Sequence, residues 1–117
     1  IPIVEDWLTK YRGDFQVIYA HNDPMILGAI NVLKEAGYKP GEVFLVGVDG
    51  QREAFEAIKE GWLQATAIYA TGGALGLDMA VRVLKGEPVP KRIITETPVI
   101  TLENVDDFYN ADSQYVR

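Results

Sequence analysis

Polar side chains that can hydrogen-bond a small ligand follow two short apolar runs of this sequence. The run 43–48 ends at Asp49, and the run 15–20 is followed closely by Asn22. A carboxylate such as Asp49 accepts two hydroxyl protons at once, in charge-assisted bonds that are stronger than bonds between neutral groups. Asn22 carries a donor and an acceptor on one amide. These residue types suit the recognition of hydroxyl groups.

Both apolar runs have the composition of buried strands, which would bring these side chains to the same place. Residues 43–48 are almost wholly apolar and rich in β-branched residues, a pattern typical of a parallel strand that is covered on both faces. In open α/β sheets, ligands bind at the carboxyl ends of such strands, where the loops form a crevice. We therefore expect Asn22 and Asp49 to lie at one edge of a sheet.

The rest of the chain alternates between helical and extended patterns. Apolar spacing predicts helices over 2–12, 23–36, 51–60 and 74–85, and strands over 15–20, 42–48, 63–69 and 98–102. Residues 92–95 are also predicted to be extended, and 103–109 to form a helical turn. This alternation predicts an α/β fold with a three-layer parallel sheet, in which residues 1–117 form a single domain.

Local signals predict how the helices begin and which side chains they bury. Asp23 is the expected N-cap of the second helix, with Pro24 at its first position, where the missing N–H costs nothing. The predicted inward positions are Met25, Ile26, Ala29, Ile30 and Leu33 in the second helix, Ala54, Phe55 and Ile58 in the third, and Leu75, Leu77, Met79, Val81 and Leu84 in the fourth.

Composition excludes several classes of function. The 11 Lys and Arg residues against 17 Asp and Glu give a net charge of −6, which disfavours a nucleic-acid surface. The sequence contains no Cys, which excludes disulfides and Cys-ligated metals, and its one His is poor evidence for any metal site. No cofactor is predicted. The chain opens in what the pattern predicts to be a helix, without a signal peptide, and its apolar runs are too short to span a bilayer.

Five separated motifs follow one another along nearly the whole chain. The motifs are Ala20-His21-Asn22-Asp23-Pro24-Met25-Ile26-Leu27-Gly28-Ala29, Val46-Gly47-Val48-Asp49-Gly50, Ala57-Ile58-Lys59-Glu60-Gly61 with Ala65-Thr66, Val83-Leu84-Lys85-Gly86-Glu87, and Pro98-Val99-Ile100-Thr101 with Glu103-Asn104-Val105-Asp106. No single motif is specific, but in this order and spacing they resemble the carboxy-terminal part of periplasmic sugar-binding proteins, the ribose- and galactose-type receptors of bacterial ABC importers.

The resemblance implies a location and several partners. Members of the family have two α/β lobes and hold a monosaccharide between them, and this chain matches part of the carboxy-terminal lobe. The implied partners are a monosaccharide, the amino-terminal lobe of the same protein and the membrane subunits of an ABC importer. The implied location is the periplasm or an anchored position on the cell surface.

The resemblance also implies ligand-binding roles for particular residues. Asn22 and Asp49 match positions that contact sugar hydroxyls in the family, and Tyr69 stands where its members carry a third contact, a Gln. Tyr69 can stack on a sugar face or donate its phenolic proton, but packing is an equally good interpretation. His21 is a candidate for the rim of the pocket. Without the resemblance, Asp49 would be interpreted as a cap of the helix that follows it.

Two other classes of function compete with a solute receptor. The effector domain of a sugar-responsive transcription repressor shares this fold, but such chains usually carry a second Asp where Gly50 stands and lack the ending seen over 98–106. An enzyme would need a nucleophile with a base, and His21 is the only His available. The receptor hypothesis also predicts self-association, because the helix over 74–85 packs on the amino-terminal lobe in this family and would be uncovered here.

Overall fold

The computed structural model describes residues 2–11 and 13–110, which form five helices and four strands. Arg12, the predicted end of the first helix, lies outside the described residues. The helices are α1 (Pro2–Tyr11), α2 (Asp23–Glu35), α3 (Arg52–Lys59), α4 (Gly73–Leu84) and α5 (Val105–Phe108), and the strands are β1 (Val17–Tyr19), β2 (Phe44–Asp49), β3 (Ala65–Ile68) and β4 (Val99–Ile100).

The four strands form one sheet in the order β1-β2-β3-β4. The first three strands are parallel, with Ile18 opposite Leu45 and Gly47 opposite Thr66. The mostly parallel α/β fold that the sequence predicts is confirmed. The last strand differs from the prediction, because β4 pairs with β3 antiparallel. Residues 92–95, predicted to be extended, join no strand.

One face of the sheet carries the hydrophobic core. Helices α2 and α3 pack on this face, and the predicted inward side chains of α3 are all buried. In α2 the prediction is wrong for Met25, whose side chain is exposed. The largest apolar side chains with almost no exposed surface are Ile26, Ile30, Leu33, Leu45, Phe55, Ile58, Leu63, Ile100 and Val105. This core holds the carboxyl ends of β1, β2 and β3 at a common edge.

Helix α2 begins one residue differently from the prediction. Asn22 is its N-cap, and the Asn22 side chain accepts a hydrogen bond of 2.9 Å from the backbone N–H of Met25. Asp23, the predicted cap, is the first helical residue and is completely buried. Its carboxylate cannot cap the helix because it bonds to other parts of the chain, described below.

The opposite face of the sheet and all of α4 are uncovered within the described chain. On that face Val17, Tyr19, Phe44 and Val99 are each more than half exposed; we call these four side chains the open sheet face. Helix α4 buries none of its residues, so its predicted inward positions are not buried here. The radius of gyration, 18.0 Å, exceeds the roughly 13 Å expected for a compact chain of this length. None of the described helices has the length and apolar character needed to cross a membrane.

Candidate functional site

A cleft of about 900 Å³ opens at the carboxyl edge of the parallel strands. Its volume lies within the range of small-molecule sites, roughly 300–1,000 Å³. The residues that line it come from the ends of β2 and β3 and the loops after them, the start of α4, the segment before β4, and α5. They are Asp49, Gln51, Ile68, Tyr69, Ala70, Thr71, Gly72, Gly73, Ala74, Leu75, Thr95, Glu96, Pro98 and Phe108. Two of the four predicted contacts, Asp49 and Tyr69, therefore share one cleft.

Asp49 has the backbone geometry that is typical of a functional position. Its φ angle is 127°, a value that residues with a Cβ rarely adopt, and it is the one non-glycine among the described residues with positive φ. Such strain costs on the order of 1–3 kcal/mol and persists only where the surroundings impose it. Asp49 does not cap α3, because Gln51 occupies the N-cap position. The capping interpretation of Asp49 is thus wrong.

Asn22 and His21 are not among the residues that line the cleft. The Oδ1 atom of Asn22 is occupied by the capping bond, so its amide nitrogen is the group that can donate to a ligand. His21 is exposed, and its ring meets the ring of Tyr19 edge-on, with 5.3 Å between centroids. Among the described residues, no group of three His, Cys, Asp or Glu side chains comes close enough to hold a metal ion.

Tyr69 lines the cleft and is largely exposed. About two thirds of its surface is accessible. Its backbone N–H donates to the carbonyl oxygen of Asp49 over 3.2 Å, so the two residues are tied through the main chain.

Asp23 is a buried residue that links three elements near this edge of the sheet through its carboxylate, and we call it the hub. Its Oδ2 atom accepts hydrogen bonds from the backbone N–H of Gly50 (2.9 Å) and Gln51 (2.8 Å). Its Oδ1 atom accepts one from the hydroxyl of Thr66 (2.6 Å). One carboxylate thus joins the start of α2, the β2–α3 loop and β3. Asn22 precedes Asp23 and Asp49 precedes Gly50, so these bonds hold two predicted contacts near each other.

Burial raises the pKa of the Asp23 carboxyl above its usual 3.8, because desolvation disfavours the charged form. The nearby charge of Asp49 acts in the same direction, while the bonds from Thr66 and from the two backbone amides oppose it. The folded state therefore binds this proton more tightly than the unfolded state does. The stability that this group contributes is full below its usual pKa and is lost as pH rises through the raised value.

Two glycines make room for this arrangement. A Cβ at Gly47 would overlap Oδ1 of Asp23 and come within 2.9 Å of Cγ2 of Ile26, so only glycine lets the carboxylate lie against β2. Gly50 has a φ of 78°, and a Cβ there would come within 2.7 Å of Cγ1 of Ile68. Both glycines belong to the motif that contains Asp49.

Sequence patterns missed the hub role of Asp23 and the part played by Thr66. Two signals pointed to them: Thr66 is the polar residue of an otherwise apolar strand, and Gly47 interrupts a β-branched run. The two positions face each other across β2 and β3. Neither signal names Asp23 as the shared partner, because that contact joins residues more than 20 positions apart.

Comparisons with known proteins show the family to which this chain belongs. The family model for periplasmic binding protein domains matches residues 2–88, well over half of the chain. The chain belongs to the periplasmic binding protein family. It is 38% identical over 100 residues to the ribose import binding protein of Haemophilus influenzae, an alignment that covers 84% of this chain and 33% of that protein. It is 35% identical over 105 residues to a xylitol-binding protein of Mycolicibacterium smegmatis, covering 88% of this chain and 30% of that protein.

Solved structures of periplasmic binding proteins superpose well on this chain. The binding protein of the arabinose ABC transporter from Shewanella, bound to arabinofuranose, matches with a TM-score of 0.79 and 33% identity, covering 91% of this chain and 36% of that structure. An ABC transporter solute-binding protein from Mycobacterium smegmatis with bound glycerol matches with a TM-score of 0.82 and 32% identity, covering 97% and 39%. The chain spans about a third of the length of the curated relatives that it matches.

Proposed function

We propose that this chain forms one side of the monosaccharide site of an ABC importer's solute-binding protein. The observation that carries the proposal is the strained Asp49, which lines the cleft at the carboxyl edge of the sheet. Asp49 accepts sugar hydroxyl protons, the amide nitrogen of Asn22 donates, and Tyr69 stacks or donates. His21 lies at the rim. A site of this kind rejects analogues without hydroxyl groups, because its own polar atoms would then be unpaired.

The matching relatives favour the receptor over the repressor hypothesis. Their names describe import binding proteins and components of ABC transporters, and these are binding proteins rather than enzymes. We propose that this chain likewise binds without catalysis and acts in the periplasm, with or without an anchor to the cell surface. The amino-terminal lobe would close over the sugar, and the membrane subunits would recognise the closed form.

A titration with monosaccharides tests the proposed function. We expect D-ribose, L-arabinose, xylose, galactose and D-allose to differ, with one or two producing saturable shifts in an amide NMR spectrum of the chain. The shifts should centre on Asn22, Asp49 and Tyr69. Because one lobe forgoes the other's hydrogen bonds, the dissociation constant should be on the order of millimolar.

The titration needs a control for unspecific effects of concentrated sugar. The osmolyte glycine betaine, which has no hydroxyl groups, is added at the same concentrations and exposes the chain to a similar density of solute. Silence across the sugar panel, or shifts confined to the face opposite the cleft, would contradict the proposed site. Equal shifts with every sugar and with glycine betaine would contradict specific recognition.

We also propose that the uncovered surfaces cause copies of this chain to associate. The open sheet face and the apolar side chains Leu77, Val81 and Leu84 of α4 are exposed, the three helical positions following the i, i+4, i+7 spacing of one stripe. Sedimentation velocity should show the mean mass rising with protein concentration. The double variant Leu77→Gln/Leu84→Gln should reduce this association, whereas Leu102→Gln, at an exposed leucine outside α4, should not. A single monomeric boundary at high concentration would refute the association.

A further inference from the structure

We propose that Asp23 is a positioning residue of the sugar site, because its buried carboxylate fixes the peptide unit that follows Asp49. The inference rests on the proposed function for its effect on binding. Its structural part concerns the ligand-free chain and can be measured without any sugar.

Asp23 cannot itself touch a ligand. Its surface is completely buried, and both carboxylate oxygens accept hydrogen bonds from the protein. All three donors lie far along the chain from α2, in the β2–α3 loop and in β3. A buried carboxylate with three long-range bonds is an anchor that orients other groups, and those groups lie next to the cleft.

The peptide unit between Asp49 and Gly50 is held at both ends. Its N–H, which belongs to Gly50, donates to Asp23, and its carbonyl, which belongs to Asp49, accepts from the N–H of Tyr69. The peptide unit before Asp49 belongs to β2, which pairs with β3. Fixing the unit after Asp49 as well determines φ and ψ of Asp49 together. The positive φ of Asp49 is therefore maintained by two hydrogen bonds, one that Asp23 accepts from Gly50 and one that Tyr69 donates to Asp49.

The same anchor sets the distance between two contacts. Asn22 is held at the start of α2 by its capping bond, and the next residue along the chain is Asp23. The Asp23–Gly50 bond therefore connects Asn22 to Asp49 through a short and buried path. Without this bond, the amide donor of Asn22 and the carboxylate acceptor of Asp49 would no longer be held at a fixed separation.

The first experiment measures backbone geometry in the ligand-free chain. Three-bond couplings between the amide and α protons report φ of Asp49 and Gly50. In Asp23→Ala, we expect the coupling of Asp49 to rise as its φ relaxes toward negative values, together with shifts of the Gly50 and Gln51 amides. In Asp23→Asn, the side-chain oxygen can still accept from both amides while the nitrogen donates to Thr66, so the native couplings should persist.

Two further variants make the experiment decisive. Val105→Ala removes buried atoms from α5 without touching the hub, and it should leave the Asp49 coupling unchanged. If Asp23→Ala does not fold, Thr66→Val removes only the bond to Oδ1 and should shift the Gly50 and Gln51 amides by a smaller amount. A native Asp49 coupling in folded Asp23→Ala, or native amides in Thr66→Val, would overturn the proposal. An equal change in Val105→Ala would do the same.

Binding is measured separately, with D-ribose and L-arabinose as probes. Asp23→Ala should raise the dissociation constant at least about tenfold, because a misplaced Asp49 loses a charge-assisted bond to the sugar. Asp23→Asn should retain most of the native affinity. If the native chain binds neither probe, the proposed function loses support while the coupling result still decides whether Asp23 positions the loop. If both Asp23 variants bind as the native chain does, Asp23 has no role in the site.

Discussion

Replacing Asp49 with glycine should stabilise the fold and abolish sugar binding at the same time. The φ angle of 127° is strained for aspartate and unstrained for glycine. Relief of this strain gains on the order of 1–3 kcal/mol, while the greater freedom of glycine in the unfolded chain costs roughly 0.5–1 kcal/mol. We therefore expect the free energy of unfolding to rise by about 1 kcal/mol in Asp49→Gly, measured by urea denaturation.

Two variants separate the contributions to this result. Asp49→Ala removes the carboxylate but keeps the Cβ. It should therefore lose binding without the gain in stability that a relaxed backbone gives. The difference in stability between the glycine and alanine variants then isolates the strain. Asp14→Gly, at an exposed aspartate without a positive φ, should lose stability, because only the entropic cost of glycine applies there.

Binding by the same variants tests the role of the carboxylate. A hydrogen bond to a charged group contributes about 1.5–3 kcal/mol, so losing it weakens a millimolar complex beyond detection. Native affinity in Asp49→Gly would remove Asp49 from the site. A loss of stability in Asp49→Gly equal to that in Asp14→Gly would show that the positive φ stores no strain.

Local patterns predicted the elements of this fold where the chain itself supplies their packing partners. In α3 the spacing of Ala54, Phe55 and Ile58 identified the buried face, because α3 packs on the sheet that the same chain forms. In α4 an equally apolar pattern predicted a buried face that the described chain does not provide. A periodic apolar pattern indicates that one face of a helix requires a packing partner, but it does not indicate which element or chain provides that partner.

The direction of β4 was mispredicted for a related reason. The rule for right-handed parallel crossovers assumes that the connecting helix packs back onto the sheet between the two strands that it joins. Helix α4 buries none of its residues, so the connection from β3 to β4 is not a crossover of that kind. The strand returns beside β3 in the opposite direction.

At the candidate site, the sequence identified the residues at the strand ends but not the bonds that hold them. The pattern of strand, acid and glycine placed Asp49 at the cleft, where the structure has it. Cap preferences assigned Asp23 to the helix start, although its carboxylate bonds to Gly50, Gln51 and Thr66 instead. Local propensity favours the cap, but three long-range bonds in a buried position outweigh a single capping bond, which Asn22 supplies in its place.

Gly47→Ala should be strongly destabilising, although it adds a single methyl group. The backbone of Gly47 has no positive φ, so the cost comes from space rather than from conformation. The new Cβ would overlap Oδ1 of Asp23 and press on Ile26, both of them fully buried. Overpacking costs about 1–3 kcal/mol, and displacement of the carboxylate adds about 1 kcal/mol for each hydrogen bond lost. We expect a loss of about 2–4 kcal/mol in urea denaturation.

A glycine in open space provides the matched control. No atom lies within 4 Å of a Cβ built at Gly76, which is a helical residue of α4, so Gly76→Ala should gain roughly 0.5–1 kcal/mol from helix propensity. Loss of stability in both variants would mean that the methyl group at Gly47 is not the cause. Equal stability of Gly47→Ala and the native chain would refute the tight contact with Asp23.

A double-mutant cycle connects this packing to the sugar site. In the Asp23→Ala background the overlap with Oδ1 no longer exists and only the contact with Ile26 remains, so Gly47→Ala should cost at least about 1 kcal/mol less than it does in the native chain. Full additivity would mean that Gly47 and Asp23 act independently. Strong coupling would mean that Gly47 in β2, the buried carboxylate of Asp23 and the loop that presents Asp49 form one energetically coupled unit. In that unit a change on the core side of the sheet would reach the ligand side through the hydrogen bonds of Asp23, so Gly47→Ala should also shift the amides of Gly50 and Gln51.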